Sequence, residues 1–138
     1  LGAIAGGDGS EAMLTIEQND ATRCWRVIQY RYLYFAVDEK LRPWAGGVTE
    51  IEIEYVDRGA GDVRIEYDST DPAAAFSGAY KVHADVIHRA DTGRLQTARL
   101  RMTDARFSGA QNLHADFRIV HAGDDVLIRT VRVRRGDE

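Results

Sequence analysis

The segment 48–56 (VTEIEIEYV) most strongly constrains the fold, because its apolar and acidic residues alternate strictly. The apolar set is Ile51, Ile53 and Tyr55, and the acidic set is Glu50, Glu52 and Glu54. A helix would spread the three apolar side chains around its circumference, whereas a β-strand places them on one face. The segment therefore predicts a strand with one apolar face and one face of solvated glutamates.

The same period of two recurs along most of the chain. It is found in the segments 12–18, 24–38, 62–67, 78–89, 96–102, 115–121 and 124–134, of which 24–38 is predicted to be two strands or one bent strand. Together they predict nine or ten short strands and no helix. The apolar phase slips between Ile128 and Val131, which predicts a β-bulge near Arg129 and Thr130. The Gly-rich segment 57–61 (DRGAG) is predicted to be a hairpin turn.

Strands with one polar and one apolar face are typical of antiparallel sheets, which bury their apolar faces by stacking. With 138 residues the chain is large enough to bury one such core. We therefore predict a single all-β domain over residues 1–138, an antiparallel β-sandwich of jelly-roll type, with residues 1–12 flexible. A closed barrel is the alternative, and the uneven loop lengths favour the sandwich.

Charge and composition narrow the classes of partner. The formal net charge of −4 argues against a nucleic-acid backbone as partner. No run of about 18 apolar residues is present, so we expect no membrane span. Cys24 is the single cysteine, which excludes a disulfide within the chain and a cysteine-cluster zinc site. Because the chain starts at Leu1 rather than Met, we expect a processed product or an excised part of a larger protein.

Several segments resemble a known group of domains. They are YLYFAVD, IEIEYVDRGAGDVRIEYDSTDP, GAYK, TARLRMTDARF, ADFRIV and DDVLIRTVRV. From about Tyr32 to Val133 the chain resembles the galactose-binding-domain-like β-sandwich modules of bacterial polysaccharide-degrading enzymes. The resemblance implies a non-catalytic carbohydrate-binding module, attached to the catalytic domain of a secreted or cell-surface enzyme. It also implies a structural calcium ion bound by loops and chain ends.

Protein sites for sugars combine aromatic rings with a few polar side chains that fix the hydroxyl groups. The candidate ligand-binding residues are Tyr80, Asp68, Asp71, Lys81, Trp44, Tyr32, Tyr34 and Asn112. The row Tyr30, Tyr32 and Tyr34 could form a stacking platform on a sheet, or a second buried layer with satisfied hydroxyls. Phe76 and Phe107 are also loop aromatics, and a core position is the expectation for both.

The oxygen-rich segments are the candidates for a metal. Calcium binds six to eight oxygen atoms in irregular loops. The pair Asp124 and Asp125 is therefore the predicted metal site, and the segment 68–71 (DSTD) is a weaker candidate. Turn-forming aspartates that bond their own backbone are the alternative for both.

Nothing in the sequence calls for an active site. No HExxH motif and no GxSxG elbow is present, and the glutamates on one strand face are too close together for a glycosidase pair. Two other functions stay open. One is a packing domain with no ligand of its own, and the other is a small β-sandwich glycan lyase or hydrolase.

Overall fold

The computed structural model describes residues 2–4, 12–16, 23–27, 32–37 and 47–135. The strands in these segments are β1 (Gly2–Ile4), β2 (Ala12–Ile16), β3 (Arg23–Val27), β4 (Leu33–Ala36), β5 (Thr49–Val56), β6 (Asp62–Tyr67), β7 (Lys81–Val82), β8 (Ile87–His88), β9 (Leu95–Met102), β10 (Phe117–His121) and β11 (Val126–Arg135). A single 3₁₀ turn, Asn112–His114, also lies within them. None of the described segments forms a helix with the length and apolar character needed to cross a bilayer.

The strands form two sheets. Sheet I has the order β1-β4-β10-β6-β7, with β8 also paired to β6, and sheet II has the order β2-β3-β11-β5-β9. Each pairing among the described strands is antiparallel. From β8 to β11 each successive strand lies in the other sheet, which is the winding of a jelly roll. The prediction of an antiparallel β-sandwich is confirmed.

The core lies between the sheets and is formed by the alternate residues that the sequence pattern selects. In sheet II, Ile51 and Ile53 of β5 are completely buried. In sheet I, Phe35 of β4 stands opposite Phe117 of β10, and their rings stack with centroids 5.0 Å apart. Phe107 is also fully buried, 6.1 Å from the Phe117 ring, which confirms its expected core position.

The predicted β-bulge is present in β11. The pairing of β11 with β5 shifts between Ile128 and Thr130, so that Ile128 lies opposite Tyr55 and Val131 lies opposite Ile53. The extra residue keeps both apolar side chains on the core side although their spacing is odd.

The segment 57–61 is not a hairpin, and that prediction was wrong. Strand β5 pairs with β9 and β11 in sheet II, whereas β6 pairs with β7, β8 and β10 in sheet I. The segment is therefore a connection between the two sheets. The period of two identifies which side chains face the core, but it does not identify the neighbouring strand, and a short Gly-rich loop can serve either purpose.

The glutamates of β5 are not solvated as expected. Glu50 is 5% exposed and Glu52 is 9% exposed. They lie on the outer face of sheet II between β9 and β11, which supply arginines on both sides. We call this set the Arg–Glu ladder, and it comprises Glu50, Glu52, Arg99, Arg101, Arg132 and Arg134. The long arginine side chains cover the carboxylates, which is a consequence of sheet order rather than of the strand's own sequence.

The first twelve residues, expected to be flexible, contain strand β1 and the start of β2. Gly2–Ile4 pairs with Tyr34, Phe35 and Ala36 at one edge of sheet I. A three-residue strand is too short for an alternating pattern to be recognised in the sequence. Its formation depends on pairing with the free edge of β4.

Candidate functional site

The outer face of sheet I carries an arginine that is held by its neighbours on both sides. Arg118 lies between the core residues Phe117 and Ile119 on β10, so its side chain points away from the core. It lies opposite Tyr34 of β4 and Glu66 of β6. Its guanidinium is 2.6 Å from the Glu66 carboxylate and donates to the Tyr34 hydroxyl at 2.8 Å. Arg118 is therefore fixed in position and paired in charge.

Two tyrosine rings enclose this guanidinium. The Cζ atom of Arg118 is 4.0 Å from the ring centroid of Tyr32 and 4.3 Å from that of Tyr80. Stacking on the faces of aromatic rings is a favourable geometry for guanidinium groups. The contact holds together rings from two distant parts of the chain, one beside β4 and one in the segment before β7.

Beside Tyr80 stands a phenylalanine that is open to solvent. The rings of Phe76 and Tyr80 meet edge to face at 5.5 Å, and Phe76 is 81% exposed. Its backbone is left-handed, with φ of 54°, and Ser77 and Gly78 follow with φ of 56° and 98°. Such values are costly for residues with a side chain and are found mainly where the surrounding structure enforces them. The expectation that Phe76 belongs to the core was wrong.

The base of this loop is anchored to the end of β6. The backbone N–H and the hydroxyl of Ser69 both donate to the carbonyl oxygen of Gly78, at 2.7 and 2.8 Å. A Cβ atom on Gly78 would lie 2.4 Å from the Ser69 carbonyl oxygen, so only glycine fits. The anchor places the ring of Phe76 at the loop tip, where it is not needed for the core.

The Phe76 loop forms one wall of a concave surface, and the segment around the 3₁₀ turn forms the opposite wall. The backbone N–H of Asn112 donates to the Tyr80 hydroxyl at 2.8 Å. The buried amide of Gln111 donates to the carbonyl oxygens of Ala79 and Glu66, at 2.8 and 3.0 Å. These bonds connect the two walls through Tyr80 and its neighbour, so the walls have a fixed separation.

Between the walls lies a hollow of about 460 Å³, which we call the Tyr–Arg hollow. It is lined by Tyr32, Phe76, Ala79, Tyr80, Ala110, Asn112 and Arg118. Concave sites with aromatic walls and a few polar groups are the usual form of small-molecule sites. The geometry offers ring faces for C–H groups together with hydroxyl, amide and guanidinium groups for hydrogen bonding.

The structure separates the predicted tyrosine row. Tyr34 is completely buried, and burial raises its pKa to about 12 although the hydrogen bond from Arg118 opposes the shift. It is therefore a buried tyrosine with a satisfied hydroxyl and not part of a stacking platform. Tyr32 is half-buried and reaches the hollow. Tyr30 and the predicted ligand residue Trp44 lie outside the described residues.

Asp68 is not available for a ligand, so its assignment was wrong. It is completely buried and accepts hydrogen bonds from the Arg106 side chain at 2.6 and 3.0 Å. Its second oxygen accepts the backbone N–H and the hydroxyl of Ser108. The carboxylate anchors the segment after β9 to the end of β6. Sequence cannot distinguish an anchoring carboxylate from an exposed one when both follow a strand.

Asp71 and Lys81 belong to a cluster outside the Tyr–Arg hollow. The Lys81 ammonium is 3.0 Å from Asp71 and 2.5 Å from Asp104, and the Tyr67 hydroxyl donates to Asp104 at 2.6 Å. The hydrogen bond from Lys81 lowers the pKa of Asp71, and the two carboxylates raise the pKa of Lys81. Lys81 faces a second depression of about 650 Å³ between β7 and β9. Lys81 and Tyr80 are neighbours in sequence but line different depressions.

The tyrosine, histidine and lysine that line this second depression each bond to neighbouring groups. Burial raises the pKa of Tyr67, and its hydroxyl is donated to Asp104. His83 uses both ring nitrogens, Nε2 at 2.7 Å from the Arg101 carbonyl oxygen and Nδ1 as acceptor from the Asp85 N–H. Lys81 is bound to two carboxylates, so all three of these side chains are engaged within the protein.

The predicted metal ligands lie at one end of the sandwich. The Asp124 carboxylate accepts the Ala60 N–H at 2.8 Å, and the backbone carbonyl oxygens of Asp124 and Asp125 accept hydrogen bonds from Arg89. Within residues 32–37 and 47–135, and the three short strands before them, no group of three or more His, Cys, Asp or Glu side chains could hold a metal. A calcium ion remains a prediction.

Sequence reasoning did not select four residues that line the hollow, namely Ala79, Ala110, Phe76 and Arg118. Of these, Phe76 was expected in the core and Arg118 was not considered. Arg118 was detectable in part, because a charged residue between Phe117 and Ile119 must point outward from the strand. Nothing in the sequence indicates that its neighbours are Tyr32 and Tyr80, since they lie 86 and 38 positions away. Phe76 precedes Ser-Gly, and that pair is a turn signal which could have indicated an exposed position.

Comparison with known proteins identifies a structural relative. No protein-family model matches the chain, and no curated protein matches it. Among solved structures, the chain is similar to the carbohydrate-binding module CBM6cm-2 from Cellvibrio mixtus lichenase 5A, in complex with cellotriose. The two are 14% identical with a TM-score of 0.50, and the match covers 91% of this chain and 86% of the module. The chain thus has the β-sandwich fold of a carbohydrate-binding module.

Proposed function

We propose that this domain binds an oligosaccharide or polysaccharide, without catalysis, in the Tyr–Arg hollow. The observation that carries the proposal is Phe76, an exposed ring on a left-handed loop beside Tyr80, which lines the same hollow as a guanidinium enclosed by two tyrosines. Aromatic rings at a concave surface suit the C–H faces of sugars. The similar module from lichenase 5A was solved with cellotriose, which supports the same class of ligand here.

Each lining residue has a role in this proposal. Phe76 exposes most of its ring and is the principal stacking residue. Tyr80 and Tyr32 each have one ring face against Arg118, which leaves the other face for a sugar. Asn112 and the tyrosine hydroxyls would then hydrogen-bond to the sugar hydroxyls.

The ligand we propose is uncharged. Arg118 is the one charged residue that lines the hollow within the described chain, and Glu66 already neutralises it at 2.6 Å. Charged sugars would therefore find no unpaired countercharge there. Binding to a neutral polysaccharide should change little between low and high salt, because screening acts on charge interactions and not on stacking.

The test is affinity gel electrophoresis in a panel of neutral and acidic polysaccharides, followed by calorimetry with an oligosaccharide of the best ligand. We expect at least one neutral polysaccharide to retard the wild type. Phe76→Ala and Tyr80→Ala should each weaken binding about tenfold or more, the loss expected when a stacking contact of about 1.4 kcal/mol is removed.

The control is Leu95→Ala, which removes an exposed apolar side chain from β9 in the other sheet, 40% exposed against 81% for Phe76. Its affinity should equal that of the wild type. If no neutral polysaccharide retards the wild type, with or without calcium, the proposed function is wrong.

The wider setting follows from the sequence resemblance. We propose an accessory module of a secreted or cell-surface glycan-degrading enzyme, with the catalytic domain as its partner. Joined to such a catalytic domain, the wild type should raise turnover of insoluble polysaccharide and leave turnover of soluble oligosaccharide unchanged. An equal effect from the Phe76→Ala variant would contradict this role.

A further inference from the structure

A buried arginine occupies the end of the sandwich where a metal was predicted. Arg89, in the segment between β8 and β9, is 9% exposed. Its side chain contacts the two connections 57–61 and 122–125. It donates to six backbone carbonyl oxygens, those of Gly61 (3.0 Å), Arg58 (3.3 Å), Asp125 (2.9 Å), Ala60 (2.8 Å), Ala122 (2.9 Å) and Asp124 (2.8 Å).

The two connections can converge on Arg89 because glycines let their backbones touch. A Cβ atom on Gly61 would lie 1.8 Å from the Ala122 carbonyl oxygen, and one on Gly123 would lie 2.3 Å from the Ala60 carbonyl oxygen. Both glycines have positive φ, 113° and 83°. The Asp124 N–H also donates to the Ala60 carbonyl oxygen at 3.0 Å. The oxygen cluster is thus a built feature and not an accident of one loop.

Six oxygens converging from two loops is a donor set of the kind that calcium uses. Here the five N–H groups of Arg89 serve all six oxygens, with one N–H of Nη2 shared between two of them, and the guanidinium brings its own positive charge to the centre. A metal ion could enter only by displacing the side chain. The Asp124 carboxylate is also engaged, since it accepts the Ala60 N–H at 2.8 Å. The residues present do not fit a calcium ion at Asp124 and Asp125.

We propose that Arg89 is an internal cation that takes the place of a structural metal at this end of the fold. It neutralises the inward-pointing carbonyl dipoles and holds the two inter-sheet connections together. Folding of this region then requires no divalent ion. The inference is independent of the sugar site, which lies on the outer face of sheet I.

The experiment compares the melting temperature of Arg89→Met and Arg89→Lys with that of the wild type. Arg89→Met keeps the length and loses all donors, so the six carbonyl oxygens lose the hydrogen bonds from Arg89, and we expect the Tm to fall by more than about 10 °C. Arg89→Lys keeps the charge but has only three N–H groups, so its fall should be smaller. Arg94→Met, at an exposed arginine of the same connection, should leave the Tm within about 2 °C of the wild type.

Calcium is tested separately by titrating Ca²⁺ alone into the wild type and into the double variant Asp124→Asn with Asp125→Asn. We expect the wild type and the double variant to give the same Ca²⁺ titration, with no binding that depends on these two carboxylates. A calcium signal lost in the double variant would overturn the inference, and so would an Arg89→Met variant as stable as the wild type. If Arg89→Met does not fold, the Tm of Arg89→Lys decides, and a value equal to that of the wild type would count against the proposal.

Discussion

The two outer faces of the sandwich use the same ion pair in opposite ways. On sheet II the Arg–Glu ladder places exposed guanidinium groups above nearly buried carboxylates. On sheet I the order is reversed, because the Arg118 side chain is only 15% exposed and lies beneath the rings of Tyr32 and Tyr80. The outer face of sheet II therefore presents charged groups to solvent. The outer face of sheet I presents aromatic rings above an arginine whose charge is paired with that of Glu66.

Loops explain this difference better than the strands do. Both faces consist of alternating outward side chains on three adjacent strands. Sheet I is overhung by the left-handed residues Phe76 and Ser77 on one side and by the 3₁₀ turn on the other. The ladder stands between β9 and β11, whose arginines supply charge and no aromatic ring. A concave site arises where loops add walls to a sheet face.

The largest effect is expected from removing Arg118, and an arginine of the ladder serves as the comparison. Arg118→Ala leaves Glu66 partly buried without its partner and separates Tyr32 from Tyr80. We expect the free energy of unfolding to fall by about 3 kcal/mol and sugar binding to be lost. Arg132→Ala, on the ladder, removes a side chain that is 66% exposed and should cost less than about 1 kcal/mol.

Denaturant unfolding and affinity gels of the two variants measure this pair of effects. Arg118→Lys keeps the charge but not the planar group that fits between rings, so it should bind weakly while unfolding closer to the wild type. Equal stability for Arg118→Ala and Arg132→Ala would remove the distinction between the two faces.

The second prediction concerns the carboxylates of the ladder. Glu50 is almost completely covered and lies 2.5 Å from Arg134, whereas the half-buried Glu54 accepts a hydrogen bond from Thr130. We expect Glu50→Ala to lower the free energy of unfolding by about 1–3 kcal/mol, and Glu54→Ala by less. Neither change should alter sugar affinity. Weaker binding by Glu50→Ala would mean that the two faces are coupled through the core.

The fold could be predicted from the sequence only in part. The period of two located the strands, and the phase slip located the bulge at Ile128 to Thr130. It could not assign strands to sheets, so the connection 57–61 was taken for a hairpin. For the same reason the alternating pattern predicted that Glu50 is solvated. The arginines that cover Glu50 belong to strands about 50 and 80 positions away.

The candidate site was predictable only where local signals exist. Tyr80, Tyr32 and Asn112 were chosen from composition and position, and the structure brings them together at one hollow. Asp68 was chosen by the same reasoning and is an internal anchor. Contacts between distant segments decide between these outcomes, and a single sequence contains no record of them.

The third prediction concerns the cluster of Lys81, Asp71 and Asp104 at the edge of the sandwich. It belongs to neither outer face and so provides a comparison for the ion pairs of both. Burial opposes ionisation of Asp104, but the hydrogen bonds from Lys81 and Tyr67 outweigh it and lower its pKa. A lowered pKa in the folded state means that the stabilisation is complete above the ordinary value of 3.8 and is lost as the pH falls through the folded value.

The expected result is a Tm that declines as the pH falls below about 4, with a shallower decline in Asp104→Asn. Lys81 has a raised pKa, so its stabilisation persists through neutral pH and is lost only in strong base. Thermal melts from pH 6 to pH 2 provide the measurement. An identical pH profile for Asp104→Asn and the wild type would show that the cluster does not contribute to acid sensitivity.

The smallest effect on stability, and the clearest separation of binding from folding, is expected at Phe76. The ring is exposed and its backbone is left-handed, a conformation that asparagine adopts more easily than phenylalanine. Phe76→Asn should therefore change the free energy of unfolding by less than about 1 kcal/mol, in the stabilising direction, while weakening sugar binding about tenfold. Phe76→Tyr keeps an aromatic ring and should bind like the wild type. A Phe76→Asn variant that lost stability and kept its affinity would assign the ring to the scaffold, and sheet I would then be as closed a surface as the ladder.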